Sequence, residues 1–323
     1  MLKLLIVKTS SLGDVIHNLP ILADIHKHYA DVEIDWLVES SFSDIPKMHP
    51  AINEVIPVAI RKWRKGLFKV NTWREIAQLK RKLATKKYDV VLDTQGLLKS
   101  ALLTTLTRGI KQGYDKNSIR EPIASAFYDI KHRVSRDQHA VARNRMLAAA
   151  AFSYSLPSQL PDYGISADDS QRPLLSQPYI IGLHGTSRDS KLWETNNWIK
   201  LGQALAERGL NLALPWSSEA ELKRARFIAG KLSNATVLPK LSIAELASVI
   251  AHSQAAIGVD TGLSHLAAAL NIPTVAIYTD TNPTLTGVCP GAFVSAINIG
   301  GVGQSPSVAN VLSALEQADS HQH

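Results

Sequence analysis

The sequence predicts an α/β protein built from two Rossmann-like domains that face a central cleft. Three observations carry that prediction. Short apolar strand patterns alternate with amphipathic helical patterns along almost the whole chain, which is the order of parallel β-α-β units. At 323 residues the chain is about twice the size of an ordinary domain. A passage rich in Pro and Ser, residues 153–178, interrupts the alternation, which then restarts. The expected domains are therefore 1–160 and 178–305, joined by a linker at 161–177.

The elements follow in order. Strands are expected at 2–7, 33–38, 54–58 and 89–93 in the first half, where apolar runs are bounded by turn residues. Helices are expected at 14–28, 71–87 and 99–107, where apolar residues recur at three- and four-residue spacing. In the second half, strands are expected at 179–183, 210–215, 255–259 and 274–278. Helices are expected there at 194–208, 218–231, 242–251, 263–270 and 307–318. Ligands of open parallel sheets bind beyond the carboxyl ends of the strands, so the informative residues should follow strands directly.

Charge is unevenly spread. The whole chain carries +7. Residues 1–165 hold 25 basic and 16 acidic side chains, whereas residues 166–323 hold 10 and 12. A basic first half suits an anionic partner. Cys289 is the sole cysteine, which excludes an internal disulfide and a zinc site built from cysteines. The apolar run after the N-terminus is too short for a signal peptide, and no run reaches the roughly 18 residues that cross a bilayer. A soluble or peripheral protein is expected.

Three strand ends carry candidate chemistry. After the first strand, Ser11-Leu12-Gly13-Asp14 fits the capping-box pattern. Asp14 therefore has two readings, a helix cap and a general base, and the two are compatible. After the strand at 179–183, the loop His184-Gly185-Thr186-Ser187-Arg188 leads to Lys191. Hydroxyls, backbone N–H groups and two cations suit a diphosphate, although the P-loop spacing is absent. After the strand at 255–259, Asp260-Thr261-Gly262 opens a helix whose free N–H groups suit an anion, and His265 shares the face of Thr261. A single Asp-Thr-Gly in an α/β setting does not make an aspartic protease, whose chemistry needs two carboxylates.

The stretch from Arg61 to Arg74 holds six cations, no acid, and Trp63, Phe68 and Trp73. Interleaved cations and aromatics suit a phosphate-rich or interfacial partner. Nucleic acid would demand similar residues, but no nucleic-acid module accompanies them. No G-x-G-x-x-G follows a strand, and neither a D-x-D pair nor an H-E-x-x-H is present, which argues against a dinucleotide dehydrogenase and a metal-dependent site.

Six segments together resemble one family. KTSSLGDVIHNLP from Lys8, PVAIRKWRK from Pro57, DTQGLLKSA from Asp93, HGTSRDSKLW from His184, LPW from Leu214 and VDTGLSHLAAAL from Val259 are similar, in order and spacing, to the lipopolysaccharide heptosyltransferases of glycosyltransferase family 9. The resemblance runs from residue 2 to about residue 280.

It implies a glycosyltransferase of the GT-B fold, inverting, metal-independent and without a cofactor. That enzyme moves L-glycero-D-manno-heptose from ADP-heptose to a Kdo sugar on lipid A. It would sit in the cytoplasm, peripheral on the cytoplasmic face of the inner membrane and against an anionic lipid surface, with no nucleic-acid partner. By resemblance Asp14 is the general base. Thr186, Ser187, Arg188, Lys191, Glu221, Leu241, Asp260, Thr261, Gly262 and His265 bind the donor. Ser11, Gly13, Arg61, Lys62, Arg64, Lys65 and Arg120 lie on the acceptor side. The helix expected at the C-terminus, within 306–323, should pack back on the first domain.

One loop departs from the family pattern. Tyr278-Thr279-Asp280-Thr281-Asn282-Pro283 stands where relatives tend to read Tyr-Gly-Pro-Thr-Asp-Pro. The rival readings are a heptosyltransferase acting on a longer acceptor, a nucleotide-sugar binder without turnover, and a nucleic-acid binder using the basic stretch.

Overall fold

The computed structural model describes residues 1–167 and 174–319. The chain divides into two compact units, Met1–Ser158 and Gln159–His323. The described part of the linker predicted at 161–177 belongs to the second unit. Tyr163 and Ile165 are buried, the Tyr163 hydroxyl donates to the Cys289 carbonyl at 3.0 Å, and Ala292 N donates to the Pro161 carbonyl at 3.0 Å. Residues 168–173 lie outside the described residues.

The first unit is a parallel six-stranded sheet. Its strands are β1 (Leu2–Val7), β2 (Val32–Glu39), β3 (Ile52–Val58), β4 (Lys87–Asp93), β5 (Arg108–Tyr114) and β6 (Ile130–His132). They are ordered β3-β2-β1-β4-β5-β6, and every neighbouring pair is parallel. The helices are α1 (Leu12–Ile16), α2 (Pro20–His28), α3 (Asp44–Lys47), α4 (Ile60–Lys65), α5 (Val70–Thr85), α6 (Leu98–Thr104) and α7 (Ala140–Phe152). Central strands covered on both faces read as unbroken apolar runs. Leu4, Leu5, Ile6 and Val7 of β1 are fully buried for that reason.

The second unit repeats the design. Its strands are β7 (Tyr179–Leu183), β8 (Asn211–Leu214), β9 (Ala235–Val237), β10 (Ala255–Val259), β11 (Thr274–Tyr278) and β12 (Ala296–Gly300). The order β12-β11-β10-β7-β8-β9 is the first sheet's order read from the other edge. The helices are α8 (Thr195–Glu207), α9 (Glu219–Ala229), α10 (Ile243–Ala251), α11 (Gly262–Ala269) and α12 (Val308–Asp319). In both sheets the chain reverses its direction of growth beside the first strand. Each unit thus has one switch point, between β1 and β4 or between β7 and β10, where such folds bind ligands.

Two expectations need correction. The helix predicted over 14–28 is two helices, because Pro20 lacks the N–H that would continue α1 and instead starts α2. The strands β5, β6, β9 and β12 were not anticipated: RGIKQGY is polar and glycine-rich, and β6 and β9 have three residues each. Within the second unit, Val311, Ala314 and Leu315 of α12 are buried with Ile257, Val275 and Ile277, so the helix sets its apolar stripe on its own unit's sheet.

Candidate active site

Asp14 stands just past the carboxyl end of β1. Its Oδ2 accepts the backbone N–H of Ser11 at 2.7 Å and the Ser11 hydroxyl at 2.9 Å. This is the return half of a capping box, so the capping reading of the sequence is realised. It engages one oxygen only. The other, Oδ1, accepts no hydrogen bond from the described residues, and the side chain is half-buried. A carboxylate held by one oxygen and open at the other has the geometry of a positioned proton acceptor. Gly13 is half-buried beside it in α1, and Ser11 is exposed.

The loop leading to Asp14 is tied to the loop after β4. Lys8 Nζ donates to the Thr94 carbonyl at 2.8 Å. The side-chain carbonyl of Gln95 accepts the N–H of Thr9 and the N–H of Ser10, each at 2.9 Å. Lys99 Nζ donates to the Ser10 hydroxyl at 2.7 Å. Behind Gln95, Asp93 Oδ1 accepts the N–H groups of Gln95 at 2.8 Å and Gly96 at 3.1 Å, and the Tyr128 hydroxyl donates to Asp93 Oδ2 at 2.8 Å. Gly113 must lack a side chain here, since a Cβ would strike the Tyr128 ring. Burial raises the Asp93 pKa, and its hydrogen bonds only partly offset that. Burial lowers the Lys8 amine, with Asp14 and Asp93 opposing the shift. Burial also lowers the Lys99 amine. Sequence reasoning missed Gln95, Lys8 and Lys99 as members of this site, although the segment DTQGLLKSA contributed to the resemblance.

The basic stretch divides once its structure is seen. Arg61, Arg64 and Lys65 are exposed on α4, and Arg120 is exposed in the loop between β5 and β6. None of the four forms an ion pair among the described residues. Lys62 is different: its Nζ lies 2.5 Å from Glu75 Oε1. The patch is therefore not wholly without an acid, because Glu75 lies one residue beyond the stretch and folds back on it. Trp63 is no surface aromatic. It is 9% exposed in the core, and its Nε1 donates to Glu75 Oε2 at 2.8 Å. The exposed apolar residues are Leu67, Phe68, Val70 and Trp73. Buried Glu39 caps α4, accepting Ile60 N–H at 3.2 Å and Arg61 N–H at 3.3 Å.

In the second unit the residues after β7 and β10 meet at its switch point. Lys191 Nζ and Thr281 Oγ1 both donate to Asp260 Oδ2 at 2.6 Å, and Thr186 Oγ1 donates to the Asp260 carbonyl at 2.8 Å. Asp260 thus aims a lysine and gathers two hydroxyl-bearing loops. The departure loop is part of this cluster: Thr281 joins Asp260, and Asp280 accepts the Ser190 hydroxyl at 2.6 Å. Sequence reasoning flagged that loop as a mismatch and could not see these contacts. Ser187 and Arg188 are exposed, Thr261 and Gly262 are half-buried at the start of α11, and His265 is buried within it.

Glu221 Oε2 accepts Ser217 N–H at 2.6 Å and the Ser217 hydroxyl at 2.8 Å, which caps α9. Its carboxyl lies against Gly185, where a Cβ would come within 2.7 Å of Glu221 Cδ. Leu241 is half-buried. His184 is 1% exposed, and burial, seconded by the nearby Arg224 charge, holds its pKa down to about 4. The ring is neutral at ordinary pH. No cluster of three or more His, Cys, Asp or Glu side chains able to hold a metal occurs among the described residues.

Comparison with known proteins is consistent across sequence and structure. The model of glycosyltransferase family 9 (heptosyltransferase) matches residues 76–311. Lipopolysaccharide heptosyltransferase 1 of Pseudomonas aeruginosa is 46% identical over 287 residues, covering 88% of this chain and 81% of that protein. The enzyme of the same name from Escherichia coli K12 is 41% identical over 323 residues, covering 97% of this chain and 100% of that protein. Among solved structures, E. coli heptosyltransferase WaaC with ADP superposes with a TM-score of 0.92 at 39% identity, covering 98% of this chain and all of that one. WaaC with ADP-2-deoxy-2-fluoro heptose gives 0.88 at the same identity, covering 98% and 99%.

Proposed function

This chain belongs to glycosyltransferase family 9, and on that premise we propose that it transfers L-glycero-D-manno-heptose from ADP-heptose to the Kdo sugar of Kdo–lipid A in lipopolysaccharide core synthesis. The single observation that carries the chemistry is Asp14, with one carboxylate oxygen pinned by Ser11 and the other open. The acceptor hydroxyl gives its proton to Asp14 Oδ1 as its oxygen attacks the anomeric carbon. The bond from that carbon to the ADP oxygen breaks on the opposite face, so the configuration inverts and ADP leaves with an added negative charge. Lys191, Arg188, the hydroxyls of Thr186 and Ser187, and the Thr261–Gly262 start of α11 neutralise that charge. Because these cations suffice for a diphosphate, the reading includes no metal. Glu221, beside Gly185, is suited to hold the ribose hydroxyls, and Leu241 suits the apolar face of the adenine.

The acceptor is anionic. Arg61, Arg64, Lys65 and Arg120, none of which forms an ion pair among the described residues, are suited to its carboxylate and phosphates. The segment that follows α4 carries Leu67, Phe68, Val70 and Trp73 exposed among cations, a composition that suits the headgroup region of an anionic bilayer. We place the protein there as a peripheral protein on the cytoplasmic face of the inner membrane. Among the described residues no helix is long and apolar enough to cross a membrane.

The decisive experiment measures ADP release from ADP-heptose with and without Kdo–lipid A. Release that requires both substrates, with a heptosylated product of inverted configuration, is the expected result. Binding of ADP-heptose with no turnover on any Kdo-containing acceptor would leave a nucleotide-sugar binder instead.

A further inference from the structure

The contacts after β4 carry an inference about Gln95. Its side-chain carbonyl lies where two consecutive backbone N–H groups converge, those of Thr9 and Ser10, at 2.9 Å each. The next N–H along the chain, that of Ser11, is the one taken by Asp14 Oδ2 at 2.7 Å. Three successive amides therefore end on two side chains, Gln95 and Asp14. The amide orientation of Gln95 is not arbitrary, because the reverse assignment would set its N–H group against two N–H donors. Its backbone is fixed in turn, since Gln95 N donates to the buried Asp93 carboxylate, which is also held by Tyr128.

We propose that Gln95 is a positioning residue for the reaction: its carbonyl fixes the Thr9–Ser10 backbone, and through it the Ser11 amide that aims the Asp14 carboxylate. The proposal rests on Asp14 being the base. Without the Gln95 acceptor, two amides in a buried loop lose their shared partner, and the loop is free to take other hydrogen bonds. Ser11 would then swing with it, and the open oxygen of Asp14 would no longer be delivered to one place. A displacement of about 1 Å in a catalytic group is enough to lower turnover by two orders of magnitude. From the β2 side the same backbone is held at its carbonyls, where Glu39 N donates to the Thr9 carbonyl and Trp36 Nε1 to the Lys8 carbonyl, each at 3.1 Å. Lys8 and Lys99 bind the loop's flanking atoms, the Thr94 carbonyl and the Ser10 hydroxyl, and leave the Thr9 and Ser10 amides to Gln95.

Gln95 Nε2 donates to no protein group among the described residues. That makes Gln95→Glu a clean probe. It keeps an oxygen for both amides, breaks no protein hydrogen bond, and puts a negative charge one amide away from Asp14.

The experiment compares Gln95→Leu, Gln95→Glu and Asp14→Asn in the full chain, with ADP-heptose and Kdo–lipid A. For Gln95→Leu we expect kcat to fall about 10- to 100-fold while both KM values change less than about threefold. For Gln95→Glu, which keeps an acceptor oxygen for both amides, we expect most of the turnover to return. Wild-type kcat in Gln95→Leu overturns the proposal. So does a Gln95→Glu variant as slow as Gln95→Leu. If Gln95→Leu does not fold, Gln95→Ala, which removes the same acceptor with less bulk, is read in its place. Asp14→Asn separates the two layers: if it stays active, the base assignment fails, whereas an inactive Asp14→Asn beside an unimpaired Gln95→Leu removes only the role of Gln95.

Discussion

The two switch points share a topology and differ in what holds them. After β1 and β4 the loops are joined by hydrogen bonds to carbonyls and a hydroxyl: Lys8 to Thr94, Gln95 to Thr9 and Ser10, Lys99 to Ser10. The acid buried beneath them, Asp93, is occupied by backbone amides and Tyr128. After β7 and β10 the loops meet on one ion pair, Lys191 with Asp260, crowded by the hydroxyls of Thr186 and Thr281. The first arrangement leaves a carboxylate oxygen open. The second leaves hydroxyls, amides and a cation together. In the proposed reaction one strand order serves once to take a proton and once to neutralise a leaving diphosphate, and the difference lies in the residues at and just past the strand ends.

The largest expected effect tests the first half of that contrast. Asp14→Asn keeps an oxygen for the Ser11 amide and removes the base. Turnover should fall roughly 10²- to 10⁴-fold, with ADP-heptose binding intact and the melting temperature close to wild type. Asp14→Ala should add a loss of roughly 0.5–2 kcal/mol in stability, the usual cost of a missing cap. Near-normal turnover in the asparagine variant would reduce Asp14 to a cap and end the comparison.

Acid should separate the two units. His184 has a folded pKa near 4, below its usual 6.5. Between those values the unfolded ring is protonated and the folded ring is not, so stability is lost as pH falls from about 6.5 towards 4. The loss approaches about 3 kcal/mol. Asp93 works the other way, since its raised pKa means the folded unit gains from protonation. Two units need not unfold together, so native-state hydrogen exchange resolved by residue is the right measurement. Protection in β7 and β10 should drop with acid more steeply than in β1 and β4, and His184→Gln should flatten that slope. Parallel loss in both sheets would contradict it.

A smaller effect should distinguish cations within the first unit. Arg61→Gln combined with Arg64→Gln should raise the acceptor KM about tenfold and leave the donor KM unchanged, at roughly 1 kcal/mol per cation near an anionic surface. Lys62→Gln is the internal control, because its charge already faces Glu75. It should shift the acceptor KM less than about twofold. High salt should weaken the wild type more than the double variant. A defect on the donor side, or equal effects from all three positions, would dissolve the distinction between paired and unpaired cations. The smallest effect belongs to the second unit: saturating EDTA should leave turnover within about twofold, where loss of a catalytic metal would cost several kcal/mol. Activity abolished by EDTA and restored by magnesium would mean that Lys191 and its neighbours do not suffice.

Much of the fold was legible in the chain because its central strands are buried on both faces. β1, β7, β10 and β11 stand out as apolar runs followed by turn residues, and their limits agree with the expected 2–7, 179–183, 255–259 and 274–278. Edge and near-edge strands such as β5 and β12 are half-covered, so they carry no such signature. Asp14, Lys191 and the Asp260–Gly262 turn were legible for a related reason. Each follows a strong strand directly, and ligands of this topology gather there.

What sequence alone determined is therefore local: which segments alternate, where each central strand ends, and which reactive side chain follows it. Tertiary structure alone decided which of those ends meet. Gln95 lies 81 residues beyond Asp14, and only the adjacency of β1 and β4 brings its carbonyl to the Thr9 and Ser10 amides. Glu75 takes Lys62 and Trp63 out of the basic face because α5 folds back on α4. Thr281 reaches Asp260 because β10 and β11 are neighbours. Hydrogen bonds and ion pairs act over about 3–4 Å, so partners distant in sequence are fixed by strand pairing and carry no mark along the chain.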